Sequence, residues 1–322
     1  MNKFIELYRE ACGSEKNLEH CFMTREEFLG KIKTGHLYAE IVNERSLSEK
    51  ILTFPVIIKN PYMLGLYEAF SRWDMEHLNN VLYQAARYNA IQTCGLSSGY
   101  DHCGNFYPAI QAFAANDLKL ADSLFPKELG MSKNGHAALV TGTNLLMALR
   151  HKDESMLEKK AYGKAKKFIS SKRTILDTAM IEYLLSLAEN DTKKASLCLK
   201  DICAGIRKSK AHTALEKCFC VHAHGLYNFA YHVLPPQDSS KIELPDDENF
   251  IKDLAEWNLD NGFKCGKLFF NMPDELRLMD YMLTIEVPKC SLIKKYDNSN
   301  TLYTDIDKFR KELITAVSEA YK

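Results

Sequence analysis

The sequence predicts an all-α fold of stacked antiparallel helical hairpins, an α-solenoid-like array with at most a trace of β near residues 51–58. Three observations predict it. Asp74, Asp117, Asp153 and Asp191 recur at separations of 43, 36 and 38 residues, each between two apolar helical runs. Before each aspartate the apolar positions repeat. Phe70, Phe113, Leu149 and Leu187 stand four residues earlier, and the small residues Ala69, Ala112, Ala148 and Ser186 five earlier. With Tyr67, Ile110, Leu146 and Leu184 at seven, and Leu66, Ala109, Leu145 and Tyr183 at eight, they share one helix face. After each aspartate the pattern resumes, with Leu78, Ala121, Leu157 and Ala195 four residues on and Leu82, Phe125, Ala161 and Leu199 eight on. Aspartate is a good helix N-cap, and its charge suits the positive end of the helix that follows. Each unit is therefore a hairpin, and hairpins must stack to cover their apolar faces. The tryptophan, glycine and tyrosine of the tetratricopeptide consensus are missing, so the repeat is not that one.

The flanking elements follow in order. Thr24-Arg25-Glu26-Glu27 is a capping box that opens a short helix at Phe28–Ile32. Residues 51–58 read as a strand or extended connector, because Pro55 is confined to a sheet edge. Asn60-Pro61 starts the first helix of the array. Ala211–Leu234 reads as one long aromatic-rich helix stopped by Pro235-Pro236, and Gln237–Pro245 as a polar connector and the best candidate boundary. Asp247–Asn261, Pro273–Ile285 and Thr304–Tyr321 read as helices, and Pro288–Tyr303 as polar and turn-rich. The chain thus divides into an N-terminal helical and extended segment (1–60), a hairpin array (61–234) and a C-terminal helical region packed on the array (246–322).

Composition bounds the class. The chain has 322 residues, 46% apolar and 11% aromatic, enough for a full-sized core and too much for disorder. Its 42 basic residues balance 42 acidic ones, so no global charge drives it onto nucleic acid or membrane. The longest mostly apolar run, Ala137–Leu149, is shorter than the roughly 20 residues a membrane span needs. No secretory signal pattern stands at Met1–Lys16, so the ten cysteines read as reduced thiols and the protein as cytoplasmic.

Several motifs invite chemistry. Gly95-Leu-Ser-Ser-Gly99 matches a nucleophile elbow around Ser97, but that turn needs a preceding strand and the run before it is helical in period. Cys218, Cys220, His222 and His224 resemble a metal cluster. On one helix, however, Cys218 and His222 share one face while Cys220 and His224 share another, so they cannot converge on one tetrahedral ion. Cys94, His102 and Cys103 are a similar temptation in a loop. His224, Asn228, Tyr231 and His232 form a polar stripe, either a hydrogen-bonded seam or a partner-facing strip. Charge is unevenly spread: Arg150–Lys217 carries 16 basic against 9 acidic residues, and Lys159, Lys160, Lys164, Lys166 and Lys167 lie mostly on one helix that reads as a solvated face. Glu243, Asp246, Asp247, Glu248, Asp253 and Glu256 form the densest carboxylate cluster, suited to steering a basic partner. The absence of a P-loop, dinucleotide fingerprint, zinc-protease or calcium motif points to binding without catalysis, cofactor or metal.

Tandem apolar helices separated by Asn-Asp or Lys-Asp turns resemble the immunity protein 49 family of bacterial polymorphic toxin systems. The carrying segments are Ala112–Asp122, Leu146–Asp153 and Leu184–Asp191, with Phe270–Leu276 similar to that family's late proline-leucine segment. The resemblance implies an all-α cytoplasmic immunity protein that binds and neutralises a cognate toxin domain by direct contact, without turnover. The partner-binding residues would be the carboxylate cluster together with His224, Asn228 and His232, with no nucleic acid or membrane partner. The alternative is a helical-repeat scaffold or regulator that binds a peptide or nucleic acid.

Overall fold

The computed structural model describes residues 3–13, 21–33, 38–94, 99–157 and 161–322. The N-terminal part holds α1 (Lys3–Cys12), α2 (Arg25–Lys33), α3 (Tyr38–Glu44) and α4 (Leu47–Ile57). The hairpins follow as α5 (Tyr62–Arg72) with α6 (Met75–Cys94), and α7 (Phe106–Ala114) with α8 (Leu118–Leu124). Next come α9 (Ala137–Arg150), the single turn α10 (Glu154–Met156) and α11 (Tyr162–Ile169), then α12 (Ile175–Ala188) with α13 (Thr192–Lys208). The chain ends with α14 (Val221–Val233), α15 (Pro236–Ser239), α16 (Lys252–Asp260), α17 (Leu278–Thr284), a two-stranded hairpin β1 (Leu292–Lys294) and β2 (Leu302–Thr304), and α18 (Ile306–Ala320). The fold is all-α with a trace of β.

One turn is used four times. Trp73, Asn116, Lys152 and Asn190 each adopt a left-handed conformation, with φ of 53°, 55°, 50° and 56°. The aspartate that follows donates its N–H to the carbonyl five residues back, on Ala69, Ala112, Ala148 and Ser186, at 2.8–3.0 Å. This closes the ending helix in a Schellman geometry and occupies a carbonyl that the helix cannot satisfy. The same aspartate then starts the next helix: Asp74, Asp117 and Asp191 accept from the N–H three residues on, at 2.9, 3.0 and 3.0 Å. At Asp153 the carboxylate takes the Ser155 hydroxyl at 2.7 Å. The period in the sequence is the period of this stop-and-start turn.

The array is closed by α14. Residues Ala223 to Ala230 of this helix are all buried, which places it inside the molecule rather than on a curved surface. It packs most extensively on α7 and also touches α13 and α9. The approach to α7 is so close that a Cβ on Gly225 would overlap the Ile110 carbonyl oxygen. Hydrophobic contacts run without a break from Phe4 through the hairpins to Val317. The connector after α14 belongs to the same core, since Ser239 and Ile242 are buried.

Three sequence expectations need correction. Residues 51–57 are helical: a Ser46–Glu49 capping box opens α4, and Ile51, Phe54 and Pro55 share its buried face. Pro55 sits in the last turn, and its carbonyl is taken by Tyr88 Oη at 2.9 Å and Gln92 Nε2 at 3.2 Å, so the disturbed helix end is satisfied from α6. The β structure lies instead at Leu292–Lys294 and Leu302–Thr304, antiparallel with Ile293 opposite Tyr303. Finally, α14 begins at Val221, not near Ala211, because the Cys220 N–H leaves the helical path to bond Asn249 O at 2.8 Å. A 3₁₀ turn, Glu216–Cys218, occupies the segment before it.

The Asp117 turn differs from its copies in depth. Asp117 is 2% exposed and its second oxygen accepts from Arg87 Nε at 2.6 Å. Arg87 also donates to the carbonyls of Leu283 and Ile285 at 3.2 and 2.7 Å, which fastens the end of α17. Removing the carboxylate leaves a guanidinium buried without its counter-ion. Asp117→Ala is therefore expected to lower unfolding free energy by about 3–5 kcal/mol, against about 0.5–2 kcal/mol for the exposed cap Asp191→Ala. Equal losses in urea melts would show that the two turns carry the same weight.

Candidate functional site

The six carboxylates occupy the surface near the N-terminus of α16, but most are already engaged. That helix starts at Lys252, later than the sequence suggests, so only Asp253 and Glu256 lie on it. Asp247 is held by Arg207 Nη2 at 2.8 Å with its side chain only 4% exposed, and Glu248 by Arg207 Nη1 at 3.2 Å. Asp246 pairs with Lys252 at 2.8 Å, a contact that, ahead of every other cause, pulls its carboxyl below the usual range. Asp253 accepts the Trp73 indole N–H at 2.6 Å. Among the described residues, Glu243 and Glu256 are exposed carboxylates with no side-chain partner.

The stripe on α14 is a seam, not a strip open to a partner. His224 and Asn228 are fully buried. His224 Nε2 accepts the Ile251 N–H at 3.1 Å, and its ring stacks on Phe250 with centroids 4.0 Å apart. Its Nδ1 therefore carries the proton and finds no partner among the described residues. Asn228 Nδ2 donates to Phe113 O and to Asn116 Oδ1, both at 3.1 Å, and Asn116 Nδ2 donates to Asn258 Oδ1 at 2.9 Å. Three buried amides thus tie α14, the α7–α8 turn and α16 together. His232 is half-buried against Phe113 and Phe263. The correction is physical: α14 is surrounded by helices, so its polar residues face protein.

The metal-like clusters resolve similarly. Cys218 lies in the 3₁₀ turn, outside the helix that carries His222 and His224, and Cys220 is the N-cap of that helix. No group of three or more His, Cys, Asp or Glu side chains suited to a metal occurs among the described residues. In the loop after α6, Asp101 accepts from the N–H groups of Cys103, Lys133 and Asn134 and from the Ser132 hydroxyl at 2.7–2.9 Å. This carboxylate pins two loops, and burial pushes the neighbouring Cys103 thiol up to about 12. Ser97, Lys159, Lys160 and the side chain of Cys94 lie outside the described residues. Lys166 pairs with Glu189 at 3.2 Å, while Lys164 and Lys167 are exposed, as on a solvated face. Among the described residues, no helix is long and apolar enough to cross a membrane.

Two surface features had no reading in the sequence. Trp73 is 45% exposed, although its left-handed backbone, its contact with Phe70 and its bond to Asp253 fix it in place. Beside Phe70 runs a groove of about 500 Å³ whose apolar lining is Phe4, Leu7, Phe70 and Ile251, and whose charged lining is Lys3, Arg207, Lys217 and Glu248. The signal that could have found Trp73 is its place in the repeat. It stands directly before a hairpin aspartate, where the other turns have Asn or Lys, and polar residues there mark a solvent-facing position. The second feature is a cavity of about 170 Å³ between α5, α6, α7 and the segment leading into α14. No protein-family model, no curated protein and no solved structure matches this chain.

The buried histidines set a pH dependence. Burial pushes His224 down to about 3, and burial with a nearby cation or second imidazole pushes His232 and His222 down to about 4. These folded values lie below the ordinary value near 6.5, so the stability they contribute is whole above that pH. It is lost as pH falls from about 6.5 towards 4 and 3, because the unfolded chain gains protons that the folded chain refuses. His224 alone should remove about 2 kcal/mol of unfolding free energy between pH 7 and pH 5, above the range where most carboxylates titrate. Urea melts of the wild type and His224→Gln at these two pH values test this. The variant should show a shallower pH dependence, and identical slopes would mean that His224 takes up its proton within the fold.

Proposed function

We propose that this chain is a binding protein that neutralises a cognate toxin domain by direct contact, with the face around Trp73 as its docking surface. The observation that carries this reading is Trp73 itself. An exposed but immobilised tryptophan loses little freedom on binding, and tryptophan is among the residues that dominate interface energies. Its indole N–H is held by Asp253, one turn before the exposed Glu256, while the contiguous groove brings Lys3 and Lys217 beside an apolar lining. Such a face sets charges of both signs around an aromatic anchor, and an uneven charge pattern of this kind favours one docking orientation over its reverse. The resemblance to immunity protein 49 supplies the partner class. Toxins that act on nucleic acids or nucleotides carry basic clefts, which exposed carboxylates such as Glu256 would complement.

Titration calorimetry with the toxin domain encoded beside this chain, together with growth protection in cells expressing that toxin, tests the proposal. Trp73→Ala should weaken the complex by about 30-fold or more, equivalent to about 2 kcal/mol, measured at a temperature where the variant's melting curve shows it fully folded. Glu243→Lys with Glu256→Lys should slow association at low salt and spare the fold, since neither side chain holds a partner among the described residues. Asp247 is unsuitable for this test because its reversal also breaks the pair with Arg207. A toxin domain that forms no complex would overturn the assignment, and a complex indifferent to Trp73→Ala would overturn the docking face.

A further inference from the structure

We propose that the cavity between α5, α6, α7 and the segment entering α14 is a binding site for a small uncharged aromatic compound bearing both a hydrogen-bond donor and an acceptor. Size sets the first limit. The cavity measures about 170 Å³, and an apolar protein cavity of ~150 Å³ holds one benzene ring. The ligand is therefore one ring with a short substituent. Leu66, Leu82 and Ala86 line it with apolar atoms, and Tyr62, Phe219 and His222 supply rings for stacking or edge contact.

Polar groups converge there without partners. Tyr62 and His222 are half-buried in the cavity wall, and Tyr62 Oη and both ring nitrogens of His222 make no hydrogen bond among the described residues. Gln111 is oriented by its neighbour: Asn89 Nδ2 donates to Gln111 Oε1 at 3.0 Å, and Asn89 Oδ1 accepts from Asn60 Nδ2 at 3.5 Å. That arrangement leaves the Gln111 amide N–H₂ group as a donor with no partner among the described residues. A site with an apolar body and a few unpaired polar groups is the usual form of a small-molecule pocket.

Charge sets the second limit. Among the described residues, no lysine or arginine lines the cavity. Burial, and then the neighbouring His212, lowers His222 to about 4, so the ring is neutral near pH 7 and offers no charge to an anion. Among the described lining residues the carboxylate is Glu216, which is exposed and already accepts the Thr213 N–H at 2.7 Å, so a buried cation would lack a counter-ion. An anionic or cationic ligand would lose its hydration uncompensated, whereas a neutral amide or phenol would be matched by Gln111, Tyr62 and His222.

The test uses the full chain alone, without any toxin, so its outcome is independent of the proposed function. Benzamide, benzoate and benzylamine share one ring and differ in charge. Ligand-observed NMR and titration calorimetry should show saturable benzamide binding with Kd below about 1 mM. Both charged analogues should bind at least about ten-fold more weakly. Tyr62→Phe and Gln111→Ala should each weaken benzamide about five-fold or more. Ala86→Leu should abolish binding by filling the space; since that change alters the core, Tyr62→Phe, which removes only a hydroxyl, is the decisive variant. The absence of saturable benzamide binding would show that the cavity holds solvent only. Benzoate binding as tightly as benzamide, or benzamide affinity unmoved in Tyr62→Phe and Gln111→Ala, would likewise overturn the site.

Discussion

The buried pair between Arg87 and Asp117 is the constraint around which the other elements are arranged. A guanidinium and a carboxylate removed from water are costly unless every donor and lone pair is used. Here Asp117 divides its oxygens between Arg87 and the first turn of α8, and Arg87 Nη1 donates to the carbonyls of Leu283 and Ile285 at the end of α17. One residue earlier, Asn116 is held left-handed by the helix stop and passes its amide to Asn258 and its oxygen to Asn228. Two consecutive side chains thus fix the hairpin turn, the central helix α14 and the C-terminal helices α16 and α17 relative to one another. The apolar core supplies most of the driving force for burial, but it is non-directional. The polar turn selects one arrangement of helices from the many that such a core allows.

The sequence shows the turns plainly and their depth hardly at all. The spacing of aspartates, small residues and large apolar residues reports a backbone geometry, and each copy of that geometry forms where its residues predict. What distinguishes Asn116-Asp117 from Asn190-Asp191 is burial, which depends on α14, α16 and α17, all distant in sequence. The same dependence hid the character of His224 and Asn228. Their spacing fits a polar stripe equally well on a surface or in a seam, and only the all-round burial of α14 decides between them. Residues 51–57 carried two signals in conflict. Pro55 argued for an edge strand, while Ser46 and Glu49 three residues apart announced a capped helix, and a proline is tolerable in a last turn whose open carbonyl, on Pro55 itself, is taken by Tyr88 and Gln92 of α6.

The same contrast separates charge in sequence from charge in space. Eight acidic residues against two lysines between Asp238 and Asp260 suggest a strongly negative patch. The fold brings Arg207 and Lys3 to it and binds Asp253 to Trp73, so the field reaching a partner comes from fewer groups than the count implies. What the fold creates in exchange is a shaped surface, with an anchored tryptophan next to an apolar groove. The segment between α13 and α14 separates that groove from the smaller cavity: Ala214, Lys217 and Cys218 line one, and Leu215, Glu216 and Phe219 line the other. Neither feature is visible without the departure of Cys220 from the helical path.

A double-mutant cycle on Arg87 and Asp117 tests most directly whether this turn organises the fold. Unfolding free energies of Arg87→Met, Asp117→Asn and the double variant isolate the coupling between the two side chains. If the pair is the organising contact, the double variant should be more stable than the sum of the single losses predicts, by about 2 kcal/mol or more, since each single change strands a buried partner. Additive losses within about 0.5 kcal/mol would contradict the account and leave the arrangement of α8, α14 and α17 to packing alone.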